Sequence, residues 1–164
     1  MEPRRPSDSA VEMVQIVLPG NANALGAAFG GSVMGWIDVC GAVAAQRHCR
    51  QLVVTASMDD LHFHAPITVG MTVTLKARVL AAFHTSMEVG VAVYAEHPQR
   101  GERTFSTSAL LTFVAQATGG GRVPVPPLLL ETDAERAAAA EAEGRRAERL
   151  ARRGHGTSWL QLVR

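Results

Sequence analysis

The chain has 164 residues, the size of one domain or of a domain with an extension. Hydrophobic residues make up 47% of it, enough for a sizeable core, and 16 Lys and Arg nearly balance 15 Asp and Glu. That balance argues against nucleic acid or an anionic membrane surface as partner, and no charge-free apolar run of roughly 18 residues suggests a membrane span.

The polar start MEPRRPSDSAVEM has no apolar core of signal-peptide length, and residues 1–10 are expected to be disordered. VEMVQIVLP is an apolar-rich run ending at a Pro-Gly turn and reads as a first strand. GNANALGAAFGG follows as a Gly- and Asn-rich loop. A long apolar run then begins near Ser32 and reads as a helix. Gly35 and Gly41 inside it each cost about 1 kcal/mol relative to Ala, so another surface must come close to them. Val33, Trp36, Ile37, Cys40, Val43 and Ala44 form one stripe at helical spacing. The other side holds Met34, Gly35, Gly41, Ala42 and Ala45 around a lone carboxylate, Asp38. A helix that is apolar or small on every face is a buried helix. One sheet covers one face, so a second subunit is the expected cover for the other.

Cys40 and Cys49 fall on this helix, too far apart along its axis to bridge. Free thiols suit a reducing compartment, and a cytoplasmic location is expected.

Beyond Cys49 the period changes to two. QLVVTASMDDLHFHAPITVG gives a strand, a polar segment and a turn. MTVTLKARVLAAF and MEVGVAVYAE alternate cleanly about the turn HTS, and RTFSTSALLTFVA is a last long strand. Short connections make these neighbours antiparallel. The expected architecture is a two-layer α+β domain over residues 11–118. Residues 119–131 read as a linker, because the Gly- and Pro-rich stretch TGGGRVPVPP removes regular structure. Residues 132–153 read as a lightly packed C-terminal helix, with Thr132 and Glu135 spaced as a capping box. Residues 154–164 are a tail of unassigned structure.

Several blocks together carry a family resemblance: NANALGAAFGG, WIDVCGAVAAQRHC, VVTASMDDLHFHAPITVG, TSMEVGVAVYAE and PVPPLLLETDAER. In order and spacing they resemble the hotdog-fold acyl-CoA thioesterases of the bacterial and brain or brown-fat type, over about residues 9–150. The resemblance implies an antiparallel sheet wrapped around a long central helix. It implies dimers with active sites at the subunit interface, often assembled as homohexamers, and hydrolysis of acyl-CoA to a free acid and coenzyme A. It places Asp38 on the catalytic carboxylate, Asn23 on the Asn of the preceding loop, Gly30 and Gly31 on the Gly pair at the helix start, and Thr85 and Ser86 on a turn that contacts coenzyme A. Thr55 and Ser57, in the strand after the helix, join the candidate substrate-binding residues. The family usually has an acidic residue after the position of Gly70, where this chain has Met71, and bulkier residues than Ala27 and Ala28.

The chemistry fits those residue types. Helix N-terminal amides are unpaired and carry partial positive charge, and glycine lets a carbonyl approach them, so the N–H of Gly31 is the expected oxyanion donor. Asp38 lies about two turns, roughly 10 Å, further along. Two antiparallel central helices would bring Asp38 of one copy to the Gly pair of the other. Asp38 then serves as general base or as nucleophile, and Asn23 orients water or the carbonyl.

No cofactor is expected beyond coenzyme A as part of substrate and product. His62 and His64, with His48 and Cys49, make a conceivable zinc set, but no paired-Cys motif supports it and no metal is expected. Arg145, Arg146, Arg149, Arg152 and Arg153 read as a solvated face that could instead meet the phosphates of coenzyme A. The competing functions are a hotdog dehydratase or hydratase, which needs a His that the loop and early helix lack, and a non-catalytic acyl-CoA-binding or regulatory protein.

Overall fold

A computed structural model describes residues 1–152 and 158–163, and the side chains of all of these except Asp60, Ser158 and Trp159. In chain order the main elements are β1 (Val11–Ile16), α1 (Gly30–Cys49), β2 (Leu52–Phe63), β3 (Thr72–Ala82), β4 (Ser86–Glu96), β5 (Arg103–Gln116) and α2 (Asp133–Ala151). The strands form one antiparallel five-stranded sheet in the order β1-β3-β4-β5-β2. The expected α+β hotdog architecture is thus present, with α1 along one face of the sheet.

The period-two pattern sets which side faces α1. Val73, Leu75, Ala77 and Val79 of β3, Val89, Val91 and Val93 of β4, and Ala109, Leu111 and Phe113 of β5 point inward and are buried. They pack on Val33, Ile37, Cys40 and Ala44 of α1. Gly41 sits against the sheet: a Cβ there would lie 3.1 Å from Phe113. Gly35, on the opposite face, would present a Cβ to nothing within 4 Å. The α1 face that carries Gly35, Met34 and Val39 is bare in the single chain.

Residues 1–10 are ordered, against the expectation of disorder. A 3-10 turn, Pro6–Ser9, buries Ser9. β1 begins at Val11, opposite Ala77, so Val79 has no strand partner on that edge of β3, and its N–H donates to Ser9 Oγ at 2.9 Å. A buried donor without a partner would be costly, so the segment is held there by the need of a distant strand. Arg47 and Arg4 tie the same segment to the end of α1, donating to the carbonyls of Ala10 and His48.

Residues 119–131 lack regular structure, as a linker would, but pack closely. Val125 is buried and its N–H donates to the carbonyl of His84, while the N–H of Arg4 donates to the carbonyl of Pro127 and the N–H of Leu129 to the carbonyl of Arg4. α2 crosses the outer face of the sheet. Thr132 caps it, accepting from the N–H of Glu135, and Glu135 reaches back to the N–H of Thr132. Beneath α2 the fully buried carboxylate of Glu88 accepts from Nε and Nη2 of Arg145 at 3.1 and 2.7 Å. Of the tail, residues 154–157 and 164 lie outside the described residues, and a 3-10 turn spans Ser158–Leu162. Among the described residues no helix is long and apolar enough to cross a membrane.

Candidate active site

The chain leaves α1 through Arg50, whose left-handed backbone (φ 55°) closes the helix and turns β2 back alongside it. Thr55 is on the inner face of β2, in register with Phe113. Its hydroxyl donates to Asp38 Oδ1 at 2.6 Å. Asp38 is half-buried and Thr55 exposed, so the pair opens onto the bare side of α1. A charge-assisted bond of this length fixes the orientation of the carboxylate and leaves its second oxygen available.

The loop before α1 is organised by Asn23. Its Oδ1 accepts from the N–H groups of Leu25 and Ala27 at 2.9 and 3.2 Å, and its backbone pairs with Ala27 and Gly26. Gly26 takes the positive φ (74°) that the turn requires, and Asn23 does not. With Oδ1 occupied, the side-chain group Asn23 can offer outward is its amide N–H. The helix then opens at Phe29, whose carbonyl accepts from Ser32 and Val33 and whose side chain makes no cap. Among the described residues no hydrogen bond uses the N–H groups of Gly30 or Gly31. They are the unpaired donors of a helix start. A Cβ on Gly31 would lie 2.6 Å from the Phe29 ring, so glycine lets that ring fold over the first turn.

A cavity of about 200 Å³ adjoins this turn, lined by Ala27, Ala28, Val33, Phe63, Pro66 and Ile67 among others. Phe63 and the segment after it were not singled out from sequence. The signal was the break of alternation at Pro66, which brings the end of β2 back across the start of α1.

Within one chain, Asp38 and Thr55 are brought together, while Asn23 organises the loop that leads into α1, which begins at Gly30 and Gly31. Ser57 does not join them. The register shift between Thr55 and Ser57 turns it to the outer face, where it donates to Asp59 Oδ2 at 3.1 Å, beside Arg149. Thr85 and Ser86 stand in the β3–β4 hairpin, where Thr85 accepts from the N–H of Ala115. Ala115 is in register with Val53, so this hairpin lies at the C-terminal end of α1, away from the Gly pair.

The conceivable zinc set is not assembled. His62 and His64 lie on the outer face, their rings 6.2 Å apart, and His64 packs on Phe105 at 5.2 Å. His48 is buried at the end of α1, its Nε2 donating to the carbonyl of Pro126 at 2.8 Å. Cys40 and Cys49 are buried free thiols, and burial pushes Cys40 up to about 11, which removes it as a nucleophile at neutral pH. Arg145 and Arg149 are held by Glu88 and Asp59, and Arg152 pairs with Glu148. Arg153 lies outside the described residues.

Residues 25–102 match the family model of the thioesterase superfamily. The acyl-CoA thioester hydrolase YkhA of Bacillus subtilis, itself uncharacterized, is 40% identical over 134 residues, which is 82% of this chain and 78% of that protein. The chain belongs to the acyl-CoA thioester hydrolase family. An apo-hexameric acyl-CoA thioesterase superposes on it with a TM-score of 0.89 at 35% identity, covering 95% of this chain and 100% of that one. An acyl-CoA hydrolase of Staphylococcus aureus, solved with butyryl coenzyme A and coenzyme A, does so with a TM-score of 0.85 at 31% identity, covering 98% of each chain. That enzyme has also been solved as Asp-to-Ala, Asn-to-Ala and Thr-to-Ala variants. The mouse and rat acetyl-coenzyme A thioesterases are longer, and this hydrolase-family chain spans 25% of their length.

Proposed function

We propose that this chain hydrolyses acyl-CoA thioesters at a site completed by a second copy, with Asp38 as the carboxylate that acts on water. The observation that carries this is the Thr55–Asp38 hydrogen bond on the uncovered side of α1. Supporting it, the three residues replaced by Ala in the Staphylococcus aureus hydrolase have the same sequence spacing as Asn23, Asp38 and Thr55 here.

In this reading water attacks the thioester carbon while Asp38 takes its proton. The carbonyl oxygen becomes an oxyanion and is met by the N–H of Gly31 of the partner subunit and by the side-chain amide of Asn23. Collapse of the tetrahedral intermediate breaks the C–S bond, and the departing thiolate of coenzyme A takes the proton back from Asp38. Asp38 and Gly31 of one chain are roughly 10 Å apart along α1, which is why a second, antiparallel α1 is required. The cavity beside Ala27 and Ala28 would receive the acyl group.

Two features favour the dimer. β2 is a sheet edge twelve residues long, and long bare edges invite pairing. Met34 and Val39 on α1, and Phe29 and Phe63 beside its first turn, are exposed large apolar side chains that a second copy would cover. The hexamer found for one relative is the proposed assembly, a trimer of such dimers.

The dehydratase alternative lacks its His, since the histidine of α1, His48, is buried at the far end from the loop. Release of free thiol from a panel of short to long acyl-CoAs, with Asp38→Asn as the comparison, tests the reading. Hydrolysis should fall by about 10²–10⁴-fold in the variant. A folded Asp38→Asn protein with normal turnover would overturn it.

A further inference from the structure

We infer that Phe29 determines specificity at this site: its ring walls the Gly31 amide and admits acyl groups unbranched at the carbon beside the thioester carbonyl. This role rests on the acyl-CoA reading above. Phe29 stands at the N-cap of α1, where Ser, Thr, Asp or Asn usually accepts from a first-turn N–H. Its side chain makes no such bond. Its carbonyl takes the N–H groups of Ser32 and Val33, and among the described residues the N–H of Gly31 is left over. An aromatic residue at this position therefore keeps that donor open, where a hydroxyl or carboxylate would occupy it.

The ring lies against the same residue. A Cβ on Gly31 would be 2.6 Å from Phe29 Cε1 and 3.0 Å from its Cδ1. Cβ directions and free N–H groups both lean toward the start of a helix, so the ring stands beside the open donor. By covalent geometry Cε1 is within about 5 Å of the Gly31 nitrogen. A carbonyl oxygen bonded to that N–H at about 2.9 Å brings its α-carbon into the same range. Ring and α-carbon thus share one volume. Phe29 is 60% exposed, so core packing does not explain its place. Gly31, Gly35 and Asp38, spaced i, i+4 and i+7, fall on one face of α1, and the ring closes that face at its N-terminal end. Phe63 flanks Gly30, where a Cβ would be 3.8 Å from its Cζ, and lines the cavity with Ala27, Ala28 and Val33. A straight chain runs past Phe63 into that cavity, while a methyl group on the α-carbon meets Phe29.

The test measures thiol release from matched acyl-CoAs, short and long, that are straight, methylated on the α-carbon or methylated at the far end. In the wild type, kcat/KM for the α-methyl thioester should be about tenfold or more below that of its straight partner. Phe29→Ala should remove most of that difference and leave the far-branched substrates where they were, with Phe29→Leu between the two. Phe29→Ser supplies a hydroxyl that accepts from the Gly31 N–H. Its melting temperature should rise while kcat on the straight substrate falls by about tenfold or more. A Phe29 with a merely structural role would lose stability in all three variants. A wild type indifferent to α-methylation, Phe29→Ala with full discrimination, or Phe29→Ser with normal kcat overturns the assignment and leaves the thioesterase reading intact. A wild type that cleaves none of the thioesters removes both.

Discussion

Thr55 donates its hydroxyl to Asp38 across 2.6 Å, from the inner face of β2 to the uncovered side of α1. This bond is what aims the carboxylate, because nothing else among the described residues hydrogen-bonds it. Thr55→Val keeps the branched shape that suits a strand and removes the donor. We expect kcat to fall by roughly tenfold, the worth of one hydrogen bond of about 1.4 kcal/mol in the transition state, with melting temperature nearly unchanged. Steady-state kinetics on an acyl-CoA substrate check this. A variant with wild-type kcat would show that Asp38 is oriented by other means.

The two interior glycines of α1 answer to different neighbours, and replacing each with Ala separates them. At Gly41 a Cβ would meet Phe113 at 3.1 Å and Val91 at 3.5 Å, both buried side chains with little room to move. Overpacking of about 1–3 kcal/mol then outweighs the gain of about 1 kcal/mol in helix propensity, and Gly41→Ala should be less stable in urea unfolding. At Gly35 nothing lies within 4 Å in the single chain. Gly35→Ala should keep or raise the stability of the isolated fold yet weaken self-association, measured by light scattering across a dilution series. If Gly35→Ala assembles as tightly as wild type, another copy of α1 does not approach it.

These glycines also show what the sequence disclosed. Their cost in a helix said that something must come close, and the alternation in β3 and β4 said which side of each strand was buried, since both signals are local. Ser57 was misplaced beside Thr55 because a register shift between them reverses the face, and nothing in VVTASMDD marks a bulge. Residues 1–10 read as disordered because their reason for order, the unpaired N–H of Val79, lies in a distant strand. The arginines of α2 looked alike in sequence. Only the fold sorts Arg145, over a buried carboxylate, from Arg146, over an aromatic ring.

The Glu88–Arg145 pair should behave as a buried ion pair with one exposed side. Glu88 is 1% exposed and Arg145 25%. Arg145→Met leaves a desolvated carboxylate whose remaining cation, Arg149, is 4.0 Å away. Loss of one partner of such a pair costs about 3–5 kcal/mol, and the approach of Arg149 places this case at the lower end. Removing both charges, with Glu88→Met and Arg145→Met together, should restore most of that stability. Urea midpoints of the two singles and the double form the cycle. A double variant as unstable as the sum of the singles would mean that the pair contributes packing and no coupling.

His48 makes the fold sensitive to mild acid. Burial is the main cause that holds its pKa below the ordinary 6.5, with the carbonyl of Pro126 acting in the opposite sense, Arg4 adding to the depression and Asp8 opposing it. The unfolded chain therefore takes up a proton near pH 6.5 that the folded chain refuses until lower pH. Stability from this residue is complete above about pH 6.5 and declines as the pH falls below it, because protons are bound preferentially by the unfolded state. The structural consequence is specific: an imidazolium at this position sits beside the Arg4 guanidinium, and it loosens the contact between α1, the N-terminal segment and the strap at Pro126. Urea midpoints measured at pH 7.5 and 5.5 should fall for the wild type. His48→Gln, which keeps an N–H for Pro126 but does not titrate, should lower stability at pH 7.5 and lose much of the pH dependence. A wild-type slope that survives intact in His48→Gln would place the acid sensitivity elsewhere in the molecule.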